Sequence, residues 1–267
     1  MSRLLIHYQI LNLKLNNKMK KFIYLIIMLF ISLASFAKAN VAIFEKGNAF
    51  YNNKKYEQAL KTYLTIESKD KFSSDLYYNI GNTYFRLNDY PNSILYYERG
   101  LKIKPNDENL KTNLKVAKSR LKGDIYIVPD FFLVRWWKAI SNIFTPSSWA
   151  IASVIILIAS SVIFVFYYFS FNRKIILFYS FTLSLFLLIL TVFAGYSRQH
   201  TMQSKNYAIV FDSQTYGKDS PDLNSTDKIR IYKGQKVKII DKNTNWIKIK
   251  TEDGKEAWIE NKNIVII

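Results

Sequence analysis

Apolar side chains change their spacing along this chain, and each spacing predicts a different element. From 40 to 122 they recur three or four residues apart, as in helices with one buried face. Two stretches, WAIASVIILIASSVIFVFYYF (149–169) and IILFYSFTLSLFLLILTVFAGY (175–196), then carry no charge at all. At a rise of about 1.5 Å per residue, each is long enough to cross about 30 Å of hydrocarbon. Beyond Asn206 apolar and charged residues alternate in KIRIY, KVKII, WIKIK and EAWIE, the period of half-buried strands. Turns fall at Lys233-Gly234-Gln235, at Asp241–Asn245 and at Glu252-Asp253-Gly254, the last with the Asp-Gly hairpin signal. Tyr207–Phe211 and Ile264–Ile267 add a first and a last strand. Residues 206–267 therefore predict a five- or six-stranded all-β barrel, with the polar stretch Ser213–Asp227 as a long loop.

The helical part repeats itself. Gly47, Asn48, Phe50, Tyr56, Ala59 and Tyr63 reappear 34 residues later as Gly81, Asn82, Tyr84, Tyr90, Ser93 and Tyr97. A fixed period of this length marks stacked helical hairpins, and these residues resemble the tetratricopeptide family in two units, 40–73 and 74–107. In the first, Lys46 stands where an apolar residue usually precedes the glycine. Gly47 and Gly81 have no Cβ to hold two helices apart, Tyr56 and Tyr90 fall at the turns, and Pro105 ends the second unit. Two units close a core poorly alone. Leu110, Leu114, Ala117 and Leu121 supply an amphipathic capping helix, with Gly123 as its C-cap. The resemblance implies a concave peptide-binding face on the first helices, comprising Phe44, Asn48, Tyr51, Tyr78, Asn82, Phe85 and Arg86. Asn48 and Asn82 would meet a peptide backbone as donor and acceptor, and Arg86 a carboxylate. Phe44, Thr112 and Val116 occupy places where a carboxylate clamp would have basic residues. A solvated or self-packed face is the competing reading.

Residues 1–39 have the form of a signal peptide. Met19 is the expected start, followed by Lys20, Lys21, an apolar run from Phe22 to Phe36 and the cleavage pattern Ala37-Lys38-Ala39. The mature chain would begin at Asn40. An uncleaved anchor helix is the alternative. The two later apolar stretches are joined by a short link containing Arg173 and Lys174, which favours the cytoplasmic side for the link. Both folded parts would then lie in the periplasm and the chain in the inner membrane. In segment 123–147, Phe132, Trp136, Ile140, Ile143 and Phe144 recur at helical spacing. They read as an interfacial anchor or, more sharply, as a docking surface for a partner's membrane domain.

The net charge of +18 raises the question of nucleic acid. The excess is spread over every segment, and no binding module accompanies it, so a nucleic-acid partner is not expected. The chain has no Cys, and its two histidines, His7 and His200, lie far apart. With no phosphate loop, metal-ligand spacing or nucleophile–base set, no cofactor, metal or catalytic residue is expected, and no enzyme. Glu252 and Asp253 are adjacent carboxylates, expected to be solvated in their turn.

The order of strands and turns after Asn206 resembles a bacterial SH3-like domain. Family members use such domains to bind cell-wall peptides or proteins, which makes Tyr216, Trp246 and Trp258 candidate ligand contacts. Core packing of the two tryptophans is the other reading. Signal peptide, repeats, FFLVRWW (131–137), two-span hairpin and SH3-like domain together resemble the BatE (Bacteroides aerotolerance) family. That resemblance implies a non-enzymatic scaffold that assembles with membrane proteins carrying von Willebrand factor A domains and, indirectly, with a MoxR-type ATPase in stress tolerance. An envelope sensor or anchor that holds peptidoglycan through the SH3-like domain is the alternative.

Overall fold

The computed structural model describes residues 41–68, 72–121, 131–170, 172–212 and 215–267. Residues 1–39, read above as a signal peptide, Asn40, Gly123 and the start of the segment read as interfacial lie outside them. The chain divides into two compact units, Met1–Phe72 and Ser73–Ile267.

In the first unit, α1 (41–52) and α2 (Tyr56–Glu67) form a helical hairpin. The ring of Tyr63, 1% exposed, fills the space where a Cβ on Gly47 would stand. Lys54 closes the turn with φ of 59°. The second unit opens on the same device one period later. Here α3 (Ser74–Arg86) and α4 (Tyr90–Ile103) meet where Tyr97 fills the space over Gly81, and Asn88 takes φ of 61°. Ser73 caps α3 through Leu76 N–H, and Asp89 caps α4 through Asn92 N–H. The turns match bond for bond: Lys55 N–H donates to Phe50 O, and Asp89 N–H to Tyr84 O. The 34-residue period is thus a period of backbone geometry as well as of side chains.

Helix α5 (Glu108–Lys118) packs on α4 through Leu110 and Ala117, both fully buried, with Leu114 half-buried. Leu110 lies against Gly100, where an added Cβ would come within 2.9 Å. Helix α6 (Phe132–Ser141) leaves Phe132, Trp136 and Ile140 exposed, and Ile143 and Phe144 just beyond it as well. On its other side Trp137 lies tilted against Phe193 at 4.9 Å and donates Nε1–H to Ser197 Oγ at 3.0 Å. Helices α7 (Pro146–Phe169) and α8 (Lys174–Gln203) are long and apolar enough to cross a membrane, with mean hydropathies of 2.6 and 2.5 over an 18-residue stretch of each. They pair through small polar contacts, Ser153 with Thr191 at 3.1 Å and Ser184 with Ser160 at 3.0 Å. Thr145 caps α7, and Pro146 opens it. Helix α8 runs on past Tyr196 to Gln203, farther than the apolar stretch predicts.

The C-terminal part is antiparallel throughout, with seven strands rather than the expected five or six. They are β1 (Tyr207–Val210), β2 (Thr215–Lys218), β3 (Asp227–Ile231), β4 (Lys236–Lys242), β5 (Trp246–Thr251), β6 (Glu256–Glu260) and β7 (Ile264–Ile266), in the order β3-β2-β6-β5-β4-β1-β7. The stretch expected to be one long loop contains β2. Its TYGK sequence has no apolar alternation, and its backbone is held by pairing with β3 and β6. Residues from both edges of the sheet, Ile231 and Ile264, share one core with Ala208, Val210, Val237, Ile239, Ile247, Ile249 and Ile259. The sheet is therefore curled about a common interior. Gly254, φ +87°, makes the β5–β6 hairpin, as its Asp-Gly signal predicts.

Candidate binding surfaces and the junction between modules

On α3, Tyr78, Asn82, Phe85 and Arg86 are spaced to share one helix face. Tyr78, Asn82 and Phe85 are half-buried, and Arg86 is exposed. Asn82 Oδ1 accepts from the Tyr97 hydroxyl at 2.6 Å and from Asn113 Nδ2 at 2.8 Å, which ties α3 to both α4 and α5. The buried tyrosine hydroxyl needs an acceptor, and Asn82 supplies it. The Asn82 oxygen is thus spent inside the fold, while its Nδ2 has no partner among the described residues. Tyr78 stands 6.5 Å from Tyr97, and Phe85 meets Tyr90 edge-on at 5.4 Å. In the first unit, Asn48 Oδ1 likewise accepts from Tyr63 at 2.7 Å, and its Nδ2 donates to Glu45 at 3.3 Å. Phe44 lies 5.8 Å from Tyr63, and Tyr51 meets Tyr56 edge-on at 5.4 Å. The seven residues are divided between the two compact units.

The β domain places its three aromatic candidates on one outer face. Ile247 and Ile249 of β5, and Ala257 and Ile259 of β6, point into the core, so Trp246, Lys248, Trp258 and Glu260 point away from it. In register, Trp258 stands between Lys248 of β5 and Lys218 of β2. Tyr216, exposed, lies two residues from Lys218 and opposite Arg230. Neither tryptophan is a core residue. Trp246 also lines a cleft of about 470 Å³ with Leu223, Thr244, Asn245, Glu260, Asn261 and Lys262. Its outer wall is the 219–226 turn, closed by Lys218 Nζ on Ser225 O at 2.9 Å and by Lys228 on Asp219 at 2.8 Å. The Lys228 hydrogen bond holds the Asp219 carboxyl below its ordinary range. An aromatic wall beside amide and hydroxyl groups suits the flat faces and polar edges of peptides or sugars.

The sequence pattern gave no sign of how the parts of the second unit are joined. Helix α4 is the joint. Its Glu98, 8% exposed, takes Lys236 of β4 at 2.6 Å and Lys118 of α5 at 3.7 Å. Lys118 also reaches Glu252 at 3.3 Å. The β5–β6 turn is therefore not the solvated loop its polarity predicts: Glu252 is held against α5, and Asp253 is bonded by Thr251 and Lys255. One α4 turn beyond Glu98, Lys102 Nζ donates to Ser204 O at 2.6 Å and to Ile267 O at 2.9 Å. Arg99 reaches Ile266 O at 3.4 Å. Leu121 packs on Gly234 where a Cβ would stand, and the glycine's φ of +84° disfavours a side chain as well. From below, Arg198 of α8 donates to Lys102 O and Ile103 O at the end of α4, both at 2.8 Å. Glu98, Lys102, Lys236 and Arg198 were missed because each is a lone charge in an ordinary setting. Only the last carried a signal, as a cation placed directly after an apolar run.

Burial works against the charge on Lys236. The Glu98 carboxylate outweighs it, helped by Tyr207 and Glu252, and holds the lysine above its ordinary pKa. A cation with a raised folded-state pKa adds stability that is fully present below its unfolded value and is lost as pH rises through the folded value. Burial, with Arg99, Lys205 and Lys236 nearby, pulls Lys102 the other way. Docking of the β domain on α4 is expected to hold through neutral pH and loosen above the ordinary lysine range near 10.4. Hydrogen exchange of β1 and β4 against pH checks this, and constant protection up to pH 11 would count against the ion pair.

Residues 74–107 match the tetratricopeptide repeat family, and residues 219–265 match the bacterial SH3 domain family. Both kinds of domain are typically non-catalytic protein-binding modules, and bacterial SH3 domains also bind peptidoglycan. Among solved structures, the chain is similar to the C-terminal SH3 domain of myosin IB from Entamoeba histolytica bound to a peptide. The identity is 18% over 24% of this chain and 97% of that one, with a TM-score of 0.18 too low to carry an argument. No curated protein matches. Among the described residues, no group of three or more His, Asp or Glu side chains could hold a metal ion.

Proposed function

We propose that this chain is a non-enzymatic scaffold of the BatE type, held in the inner membrane by α7 and α8. Its repeats and SH3-like domain would face the periplasm and gather von Willebrand factor A-domain membrane proteins, with a MoxR-type ATPase acting indirectly, in the response to oxidative stress. The observation that carries this reading is the joint at α4. A tetratricopeptide hairpin, an SH3 domain and an apolar helix pair are bonded into one unit through Glu98, Lys102 and Arg198. A protein that only tethered a wall-binding domain would not need its repeat locked to it. Arg173 and Lys174 in the short α7–α8 link support the orientation. The order of modules supports the family.

In-cell crosslinking followed by capture in mild detergent tests the scaffold. The native chain and Trp246→Ala are expected to bring down von Willebrand-type membrane proteins, and Arg86→Glu to lose them about tenfold. The Trp246 cleft favours a second reading, a peptidoglycan anchor. If Arg86→Glu captures the same proteins while Trp246→Ala alone loses purified cell wall, that reading replaces the first.

A further inference from the structure

Arg198 is 1% exposed, yet no carboxylate pairs with it among the described residues. One terminal nitrogen, Nη2, donates to the two carbonyls that end α4, while the other, Nη1, is buried without a hydrogen-bond partner. A guanidinium carries five donors and a permanent charge, and leaving the charge and one donor nitrogen unanswered in the interior is costly. The same side chain lines a cleft of about 260 Å³ between the α4–α5 turn and the α6–α7 turn. Lys104 stands on that cleft with its side chain 56% exposed, bonded to Asp75 at 3.2 Å. Asn106 Nδ2 donates across the cleft to Asn142 O at 3.2 Å, and Thr145 Oγ1 is engaged in capping α7 through the Ser148 amide. Asp107 is the one carboxylate on the lining, and its Oδ1 is engaged in capping α5 through the Asn109 and Leu110 amides.

Apart from Asn142 the rest of the lining is apolar, and its lip is open. Ile143 is 58% exposed and Phe144 50%. The cleft also has a definite level. Arg198 lies two residues past Tyr196, where the apolar run of α8 ends, and Thr145 immediately precedes α7. If α7 and α8 cross a bilayer, as proposed above, the cleft sits where hydrocarbon gives way to headgroups. We propose that it holds the phosphate of a membrane phospholipid, with Arg198 and Lys104 on the anion and Ile143 and Phe144 against the glycerol and upper acyl chain. A free phosphate shares the anion chemistry but has no use for the apolar lip.

The test uses the full chain, purified from membranes in mild detergent and washed extensively, with bound phospholipid read by native mass spectrometry. The native chain is expected to retain phospholipid, Arg198→Gln to lose about tenfold in retention and Lys104→Glu several-fold. Lys242→Glu, a cation exposed on β4, should retain it fully. Inorganic phosphate at millimolar concentration should displace none. Retention unchanged in Lys104→Glu overturns the proposal even where Arg198→Gln fails to fold. Binding of inorganic phosphate without retained lipid overturns the lipid assignment. Carbonate washing of membranes separates this from the reading it rests on. A chain that resists the wash while both variants keep their lipid refutes only the cleft; a chain washed free removes the membrane reading and the cleft with it.

Discussion

Glu98→Ala is expected to release the β domain from α4. The substitution removes the carboxylate that answers Lys236 at 2.6 Å and Lys118 at 3.7 Å, and leaves Lys236 packed with no counter-charge from α4. Breaking one side of a buried ion pair costs about 3–5 kcal/mol. Lys236 keeps some contact with water, its side chain 24% exposed, so about 2–3 kcal/mol is the expected loss here. Hydrogen exchange reads it as faster opening of β1 and β4, with α2 unaffected. The double variant Glu98→Met, Lys236→Met replaces the pair by apolar side chains of similar length and should recover most of the protection. If Glu98→Ala leaves β1 and β4 as protected as before, the joint does not rest on this pair. The domain would then be held by the backbone bonds of Lys102 and the packing of Leu121 on Gly234.

Gly81→Ala is the second change expected to be severe, though it adds a single methyl group. Its Cβ would lie 2.6 Å from two ring carbons of Tyr97. That ring cannot swing aside: Tyr97 is 1% exposed, and its hydroxyl is fixed on Asn82 at 2.6 Å. The α3–α4 hairpin must spread or Tyr97 must leave its bond. The expected cost is about 2–3 kcal/mol, from overpacking together with a strained hydrogen bond. Gly254→Ala is the comparison. Nothing lies within 4 Å of its Cβ, but φ of +87° disfavours a side chain, so a cost of about 1–2 kcal/mol from backbone strain alone is expected. Thermal unfolding of the full chain in detergent ranks the two. A Gly81→Ala protein as stable as the native one would mean that the hairpin does not depend on this contact.

The repeat was legible because its residues act locally. Gly81, Tyr97 and Asn82 lie within sixteen residues of one another, and their copies stand 34 residues earlier. One hairpin's worth of sequence therefore contains its own packing rule, including the left-handed turn at Asn88. The two apolar helices were legible for a simpler reason, since 149–169 and 175–196 carry no charge at all. The strand β2 was not. Thr215–Lys218 has no alternation of its own and is a strand because β3 and β6 offer it hydrogen bonds. The outward placement of Trp246 and Trp258 followed only once Ile247 and Ile259 were seen to take the inner face.

The sequence by itself determined the modules: a 34-residue helical period, two uncharged runs, and an alternating C-terminal part with an Asp-Gly hairpin. Each of these is a local regularity, set by backbone period and hydrophobic burial within a few turns or strands. Only the tertiary structure decided how the modules of the second unit meet, and which charges lie at the meeting. Glu98 and Lys236 are 138 residues apart, and Arg198 lies more than ninety from the carbonyls it caps. A lone charge carries no period, so its partner is chosen by whatever the folded chain brings within about 3 Å of it.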